Sequence, residues 1–197
     1  MATDRASNVV PFPTARGLDP DLLRRLADGD PETITDVYRR HGAKVRGYAR
    51  RFLGDDAAAE DVVHDVFVAL PGAMQRFRGE SKLDTFLIAI AVNFCRRRVR
   101  SSVRGQRAVE RMERREVERP AQTPEAEARR RELAAALTRG LATLSVDHRE
   151  VFVLCAVEER SSPEVAELLD VPEGTVRTRL FHARKKLRAF LEAEGIR

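Results

Sequence analysis

Helix punctuation constrains this chain more than any other feature. Asp19-Pro20 and Asp30-Pro31 each pair an N-cap acceptor with a proline whose fixed φ suits a first helical turn. Behind them the apolar residues recur every three or four positions. Leu22, Leu23 and Leu26 make a short amphipathic helix that Gly29 stops, and Ile34, Val37, Tyr38, His41, Val45, Tyr48, Ala49 and Phe52 make the stripe of a longer one that Gly54 closes. A third helix opens behind Asp55 and Asp56, with Val62, Val63, Val66, Phe67 and Leu70 inward and Glu60, Asp61 and Asp65 on its other sides. Pro71 is expected to kink or end it.

After the loop Arg78-Gly79-Glu80-Ser81, the segment from Lys82 is apolar almost all round as far as Phe94. It then turns basic at Arg96, Arg97, Arg98 and Arg100. Its first part is expected to be buried and its end to project outward. This half shows no strand alternation, so residues 18–102 read as one small helical domain. Residues 1–17 hold only a short apolar stretch broken by Pro11 and Pro13, too poor for a secretory signal, and read as a disordered tail. Residues 103–123 carry few large apolar side chains and many charges of both signs, which reads as a flexible linker.

The remaining stretch, 124–197, is helical again. Thr123-Pro124 starts a helix through Leu133, Leu137 and Leu141, and Ser145 caps another with Val151, Leu154 and Cys155 inward. Ser162-Pro163 starts a short helix carrying Val165, Ala166 and Leu169. The tight connection Asp170-Val171-Pro172-Glu173 then leads into a long final helix. Short helix, short turn and longer basic helix is the helix-turn-helix order. On the final helix Val176, Leu180, Ala183, Leu187 and Leu191 share the packing side. Arg177, Thr178, Phe181, His182, Lys185 and Arg188 point away, flanked by Arg184 and Lys186. Arginine can bond a guanine edge in two places, and threonine and phenylalanine can touch a thymine methyl, so this face suits duplex DNA. The bland alternative is a solvated charged face, but an aromatic among those charges is better explained by a ligand.

The fold class is therefore all-α, two small helical domains joined by a flexible linker. A formal net charge of +5 favours an anionic partner. Cys95 and Cys155 each fall within an apolar helical pattern and read as reduced, buried thiols, and the four histidines have no metal-ligand spacing. No nucleophile and base pair, phosphate-cradling glycine loop or metal constellation is evident, so neither enzyme activity nor a cofactor is expected. No apolar run is long enough to insert in a membrane, and a cytoplasmic location is expected.

The stretch Gly174-Thr175-Val176-Arg177-Thr178-Arg179-Leu180-Phe181-His182-Ala183-Arg184-Lys185-Lys186-Leu187 closely resembles region four of bacterial sigma factors. Ala59-Glu60-Asp61-Val62-Val63-His64-Asp65-Val66-Phe67 looks like the region-two helix that docks on core RNA polymerase. Phe77-Arg78-Gly79-Glu80-Ser81, followed by Thr85-Phe86-Leu87 and Ile90-Ala91-Val92-Asn93, resembles the segment that melts and holds the minus-ten element. Order and spacing match over about residues 18–192. With no other domain between the halves, the resemblance is to the extracytoplasmic-function (ECF) group of the sigma-70 family. It implies three partners: core RNA polymerase, promoter DNA and an anti-sigma factor.

The resemblance also implies the roles of the site residues. Arg177, Thr178, Phe181, His182, Arg184 and Lys185 would read the minus-thirty-five element. Phe77 and Asn93 would hold bases pulled from the stack, which an aromatic and an amide can do by stacking and edge hydrogen bonds, while Arg96, Arg97, Arg98 and Arg100 track phosphates. Glu60, Asp61, His64 and Asp65 would face the polymerase. Three positions depart from the common pattern: Phe86 replaces tryptophan, His64 replaces glutamine and His182 stands where relatives often carry arginine. A neutral imidazole cannot make arginine's two-pronged contact. Two rivals are a sigma-like decoy that binds only an anti-sigma factor and a helix-turn-helix regulator. The first predicts eroded basic residues on the final helix, whereas Arg177, Arg179, Arg184 and Lys185 are intact; the second leaves the region-two resemblance unexplained.

Overall fold

The computed structural model of the protein describes residues 19–75, 77, 82–105 and 124–196. The expected tail over 1–17, the loop Arg78-Gly79-Glu80-Ser81 and the linker from residue 106 onward lie outside the described residues. Within them every regular element is helical. Four helices make the first half: α1 (Pro20–Ala27), α2 (Pro31–Leu53), α3 (Asp56–Met74) and α4 (Leu83–Gly105). The second half holds α5 (Pro124–Thr143), α6 (Val146–Phe152), α7 (Ser162–Leu169) and α8 (Glu173–Ala193).

The expected caps form. Asp19, Asp30 and Asp55 each accept a backbone N–H of the first turn behind them, and Gly54 closes α2 in the left-handed conformation at φ 73°. A glycine suits that position because a side chain would strain there. α2, α3 and α4 pack against one another with α1 laid on α3, burying Val45, Tyr48, Phe52, Val62, Val66, Leu70, Phe86 and Leu87.

Four features differ from expectation. Pro71 does not end α3, one of the two outcomes expected of it: the helix runs one more turn, with Ala73 and Met74 of that turn buried. α4 continues to Gly105, three residues into the stretch read as linker. Tyr38 is 42% exposed rather than core and meets Phe67 edge-on at 5.1 Å. Beyond α6 the helix widens into one π turn, Val153–Val157, that ends at Glu158.

The two halves touch. α4 lies against α6 and α7, and α2 against α5 and the π turn, so the buried apolar residues of both halves form one continuous cluster. Polar fasteners run across the junction. Arg149 of α6 donates to the carbonyl of Phe52 at 3.1 Å and lies over that residue's ring, Glu158 pairs with Arg51, and Arg160 donates to Thr85 Oγ1 at 3.1 Å.

Candidate nucleic-acid interface

The helix-turn-helix is built by its caps. Ser161 and Glu164 form a reciprocal capping box at the start of α7, the Ser161 N–H donating to Glu164 Oε2 at 2.8 Å, and Pro163 occupies the first turn. Asp170 ends α7 in the left-handed conformation at φ 53°, a region that aspartate tolerates better than most residues. That sharp stop turns the chain into α8. Val165, Leu168 and Leu169 of α7 and Val176, Ala183 and Leu187 of α8 are all buried where α8 packs on α6, α7 and α5. Packing along that stripe fixes which side of α8 faces outward.

On the outward side Arg177, Thr178, Phe181, His182, Arg184 and Lys185 are all exposed, Phe181 by 65%. Arg177 Nη2 donates to Glu173 Oε1 at 2.6 Å, an exposed pair one turn apart that a stronger anion can displace. Thr178 Oγ1 donates to the carbonyl of Gly174 at 2.9 Å. The structure adds His148 of α6, whose ring centroid lies 6.1 Å from that of His182. Burial and the nearby charges of Lys186, His182 and Arg179 hold His148 below the usual histidine range. Sequence reasoning passed over it because α6 and α8 are brought together only by packing.

On α4 the four arginines do not form one tract. Arg97 and Arg100 are exposed, with Arg97 resting 5.0 Å over the Phe94 ring. Arg98 is half-buried and pairs with Asp61 at 3.0 Å and Asp65 at 3.3 Å, joining an expected phosphate contact to two expected polymerase contacts. Arg96 does not project outward. It is only 3% exposed, and Nη2 donates to Glu150 Oε2 of α6 at 2.6 Å, because α6 rests on this turn of α4. Asn93 is half-buried, and Phe77 packs 4.2 Å from the Phe86 ring centroid with part of its surface open. Phe86 is fully buried, as expected of core.

Glu60, Asp61 and His64 are exposed and Asp65 half-exposed along one side of α3; Val68, 66% exposed, extends the same side by a turn. Glu60 Oε2 accepts from Arg46 Nη2 at 3.0 Å.

Glu150 has no solvent exposure, and its Oε1 finds no donor among the described residues. Burial outweighs the Arg96 bond and pushes its carboxyl up to about 7, with Asp147 of α6 raising it further and Arg179 of α8 opposing. Tyr48 of α2 and Cys95 of α4 also face it. The sign follows from linkage. A carboxyl raised on packing supports the packed form fully below its ordinary value of 4.5 and loses that support as pH rises through about 7. Amide-exchange protection of α4 and α6, corrected for intrinsic rates, should therefore fall between pH 5.5 and 8.5. Glu150→Gln should flatten that profile, and an unchanged slope would remove Glu150 as its cause.

Comparison with known proteins agrees with this geometry. The family model Sigma-70 region 2 matches residues 37–105, and Sigma-70, region 4 matches residues 134–187. The ECF RNA polymerase sigma-E factor of Haemophilus influenzae is 30% identical over 178 residues, covering 86% of this chain and 93% of its own. RNA polymerase sigma factor NccH of Alcaligenes xylosoxydans xylosoxydans is 29% identical, covering 93% of this chain and all of its own. Among solved structures, that of CnrH in complex with the cytosolic domain of CnrY is 29% identical with a TM-score of 0.64, covering 88% of this chain and 96% of that one. The sigma factor RpoE, solved with the anti-sigma factor NepR from Bartonella quintana, shares the fold at a TM-score of 0.59 and 21% identity, covering 76% of this chain and 91% of that one. Two matched regions in the right order, each carried by its own helical unit, make this chain a member of the sigma-70 family, in its ECF group, and a sigma factor that directs RNA polymerase to promoters.

Proposed function

We propose that the three faces divide the work of initiation. Arg177, Thr178, Phe181, His182, Arg184 and Lys185 of α8 read the minus-thirty-five element in the major groove. The observation that carries this is the outward face of α8, where six residues able to contact bases or phosphates stand exposed on a helix whose opposite side packs on α6, α7 and α5.

Phe77 and Asn93 hold the opened minus-ten strand, and Arg97 and Arg100 follow its phosphates, supported by their partial or full exposure on one half of the molecule. Arg96 and Arg98 join them when released from Glu150 and from Asp61 and Asp65. Glu60, Asp61, His64 and Asp65 on α3 dock on core polymerase, supported by their common exposed side. The protein acts with polymerase in the cytoplasm as a binding factor with no chemistry of its own. The complex of the sigma factor RpoE with the anti-sigma factor NepR, and that of CnrH with the cytosolic domain of CnrY, support an anti-sigma factor as a further partner.

Run-off transcription with purified core polymerase on promoter fragments tests this division. Arg177→Ala should weaken minus-thirty-five recognition about ten-fold, in line with about 1–3 kcal/mol per two-pronged base contact. Asn93→Ala should leave duplex binding intact and slow opening, read by permanganate reactivity of unpaired thymines. An Asn93→Ala protein that opens promoters at the parental rate would end that residue's assignment.

A further inference from the structure

Two imidazoles stand together at the edge of the outward face of α8. The ring centroid of His148 on α6 lies 6.1 Å from that of His182 on α8, and His182 meets Phe181 edge-on at 5.5 Å, so Phe181 and His148 both border its ring. The charged and titratable groups facing His148 are Lys186, His182 and Arg179 of α8 and Asp147 of its own helix. Asp147, the carboxylate of this set, is taken by Arg179 at 2.8 Å. His148 Nδ1 is enclosed and finds no partner among the described residues, while the residue as a whole keeps part of its surface open.

We propose that His148 and His182 hold one backbone phosphate of the minus-thirty-five duplex between them and take up a proton from water as they do so. The proposal rests on the reading of α8 as the minus-thirty-five helix, and it adds to that face a residue from a different helix. Distance allows the contact. An imidazole nitrogen bonds a phosphate oxygen at about 2.7–3.2 Å, so two rings this close can reach different oxygens of one phosphate. Charge favours it. Around His148 the fold gathers a lysine, an arginine and two imidazoles and leaves them no uncommitted acid, so an incoming phosphate supplies the missing anion. A reading helix in the major groove is walled by the two phosphate backbones, so a residue of a neighbouring helix that borders it is placed for phosphate rather than for a base edge.

Proton uptake gives the contact a definite sign. In the free protein burial and the charges of Lys186, His182 and Arg179 hold His148 below the ordinary histidine value of 6.5, so it is neutral at pH 7 and above. A phosphate at the ring favours the charged form and raises that value. The complex then binds more protons than its separated parts. Affinity therefore rises as pH falls through the interval between the free and bound values, and levels off on either side of it. An arginine would hold the anion equally at any pH, whereas an imidazole makes the ion pair only when protonated.

The test uses the protein bound to core polymerase on a promoter fragment that it transcribes, with the dissociation constant read by fluorescence anisotropy from pH 5.5 to 8.5. The Glu150 carboxyl titrates in the same range, so the quantity that counts is the ratio of His148→Gln to the parent, both of which keep Glu150. That ratio should be near one at pH 8 and about ten at pH 6. At pH 6 the dependence of log Kd on log salt should be shallower by about one in His148→Gln, the loss of one phosphate contact, with no difference at pH 8.

His182→Gln, an exposed change that the fold tolerates, should lose the same pH-dependent part of the affinity, and the double variant should lose no more of it than either single one. A ratio that stays constant across the pH range, or a salt slope unchanged at pH 6 in both single variants, would overturn the proposal and leave His148 a packing residue. Failure of Arg177→Ala to weaken minus-thirty-five recognition in the same assay would instead remove the reading of α8 beneath it.

Discussion

Arg149→Ala should destabilise the protein by about 2–4 kcal/mol in urea unfolding, more than any exposed arginine replaced in the same way. Arg149 is 9% exposed, and its guanidinium donates to three backbone carbonyls: Phe52 at 3.1 Å, Ala142 at 2.9 Å and Leu144 at 3.4 Å. These carbonyls lie at the C-terminal ends of α2 and α5, where the last turn has no partners of its own and the helix dipole favours a cation. Losing the side chain orphans them together and removes the contact over the Phe52 ring. Arg149→Lys should recover little of the loss, because one ammonium on a flexible stem cannot span acceptors that a planar fork reaches at once. A lysine variant as stable as the parent would show that charge alone, rather than the fork, is what the site requires.

The second large effect is steric and falls on α8, the helix proposed to read the minus-thirty-five element. An ideal Cβ at Gly140 of α5 would lie 2.5 Å from Cδ1 of Leu187 and 3.0 Å from Cδ1 of Phe190, both on α8. Gly140→Val should cost about 2–3 kcal/mol by overpacking this crossing, and displacement of α8 should weaken binding of a minus-thirty-five duplex about ten-fold. Gly140→Ala is the informative control. Its single methyl meets the end of a rotatable leucine and gains helix propensity, so its net effect should stay below about 1 kcal/mol. If valine were as harmless as alanine, α5 and α8 would not be in close contact at this point.

Much of the architecture was legible from local signals. Caps and positive-φ stops act within four or five residues, so Asp19, Asp30, Asp55 and Ser145 marked helix starts, and Gly54 marked a stop, without knowledge of the fold. The outward face of α8 was legible for the same reason, since its apolar residues recur at helical spacing along one element. Pro71 did not end α3, since its local cost is outweighed by burial of Ala73 and Met74, which depends on the packed bundle. His148 and His182 are 34 positions apart, and no periodicity links them.

Arg96 shows where that boundary lies. Its sequence, one of four arginines at the end of an apolar helix, established that the site attracts an anion, because a guanidinium so placed needs one. Which anion depends on what packs there. Helix starts, the order of the two units, the helix-turn-helix and the outward face of α8 follow from short-range chemistry that the sequence determined by itself. The partner of Arg96 is Glu150, 54 residues away, and only the tertiary structure decided it: a buried charge takes whichever opposite charge the fold brings within hydrogen-bond distance, a choice made by packing of the two halves rather than by spacing along the chain.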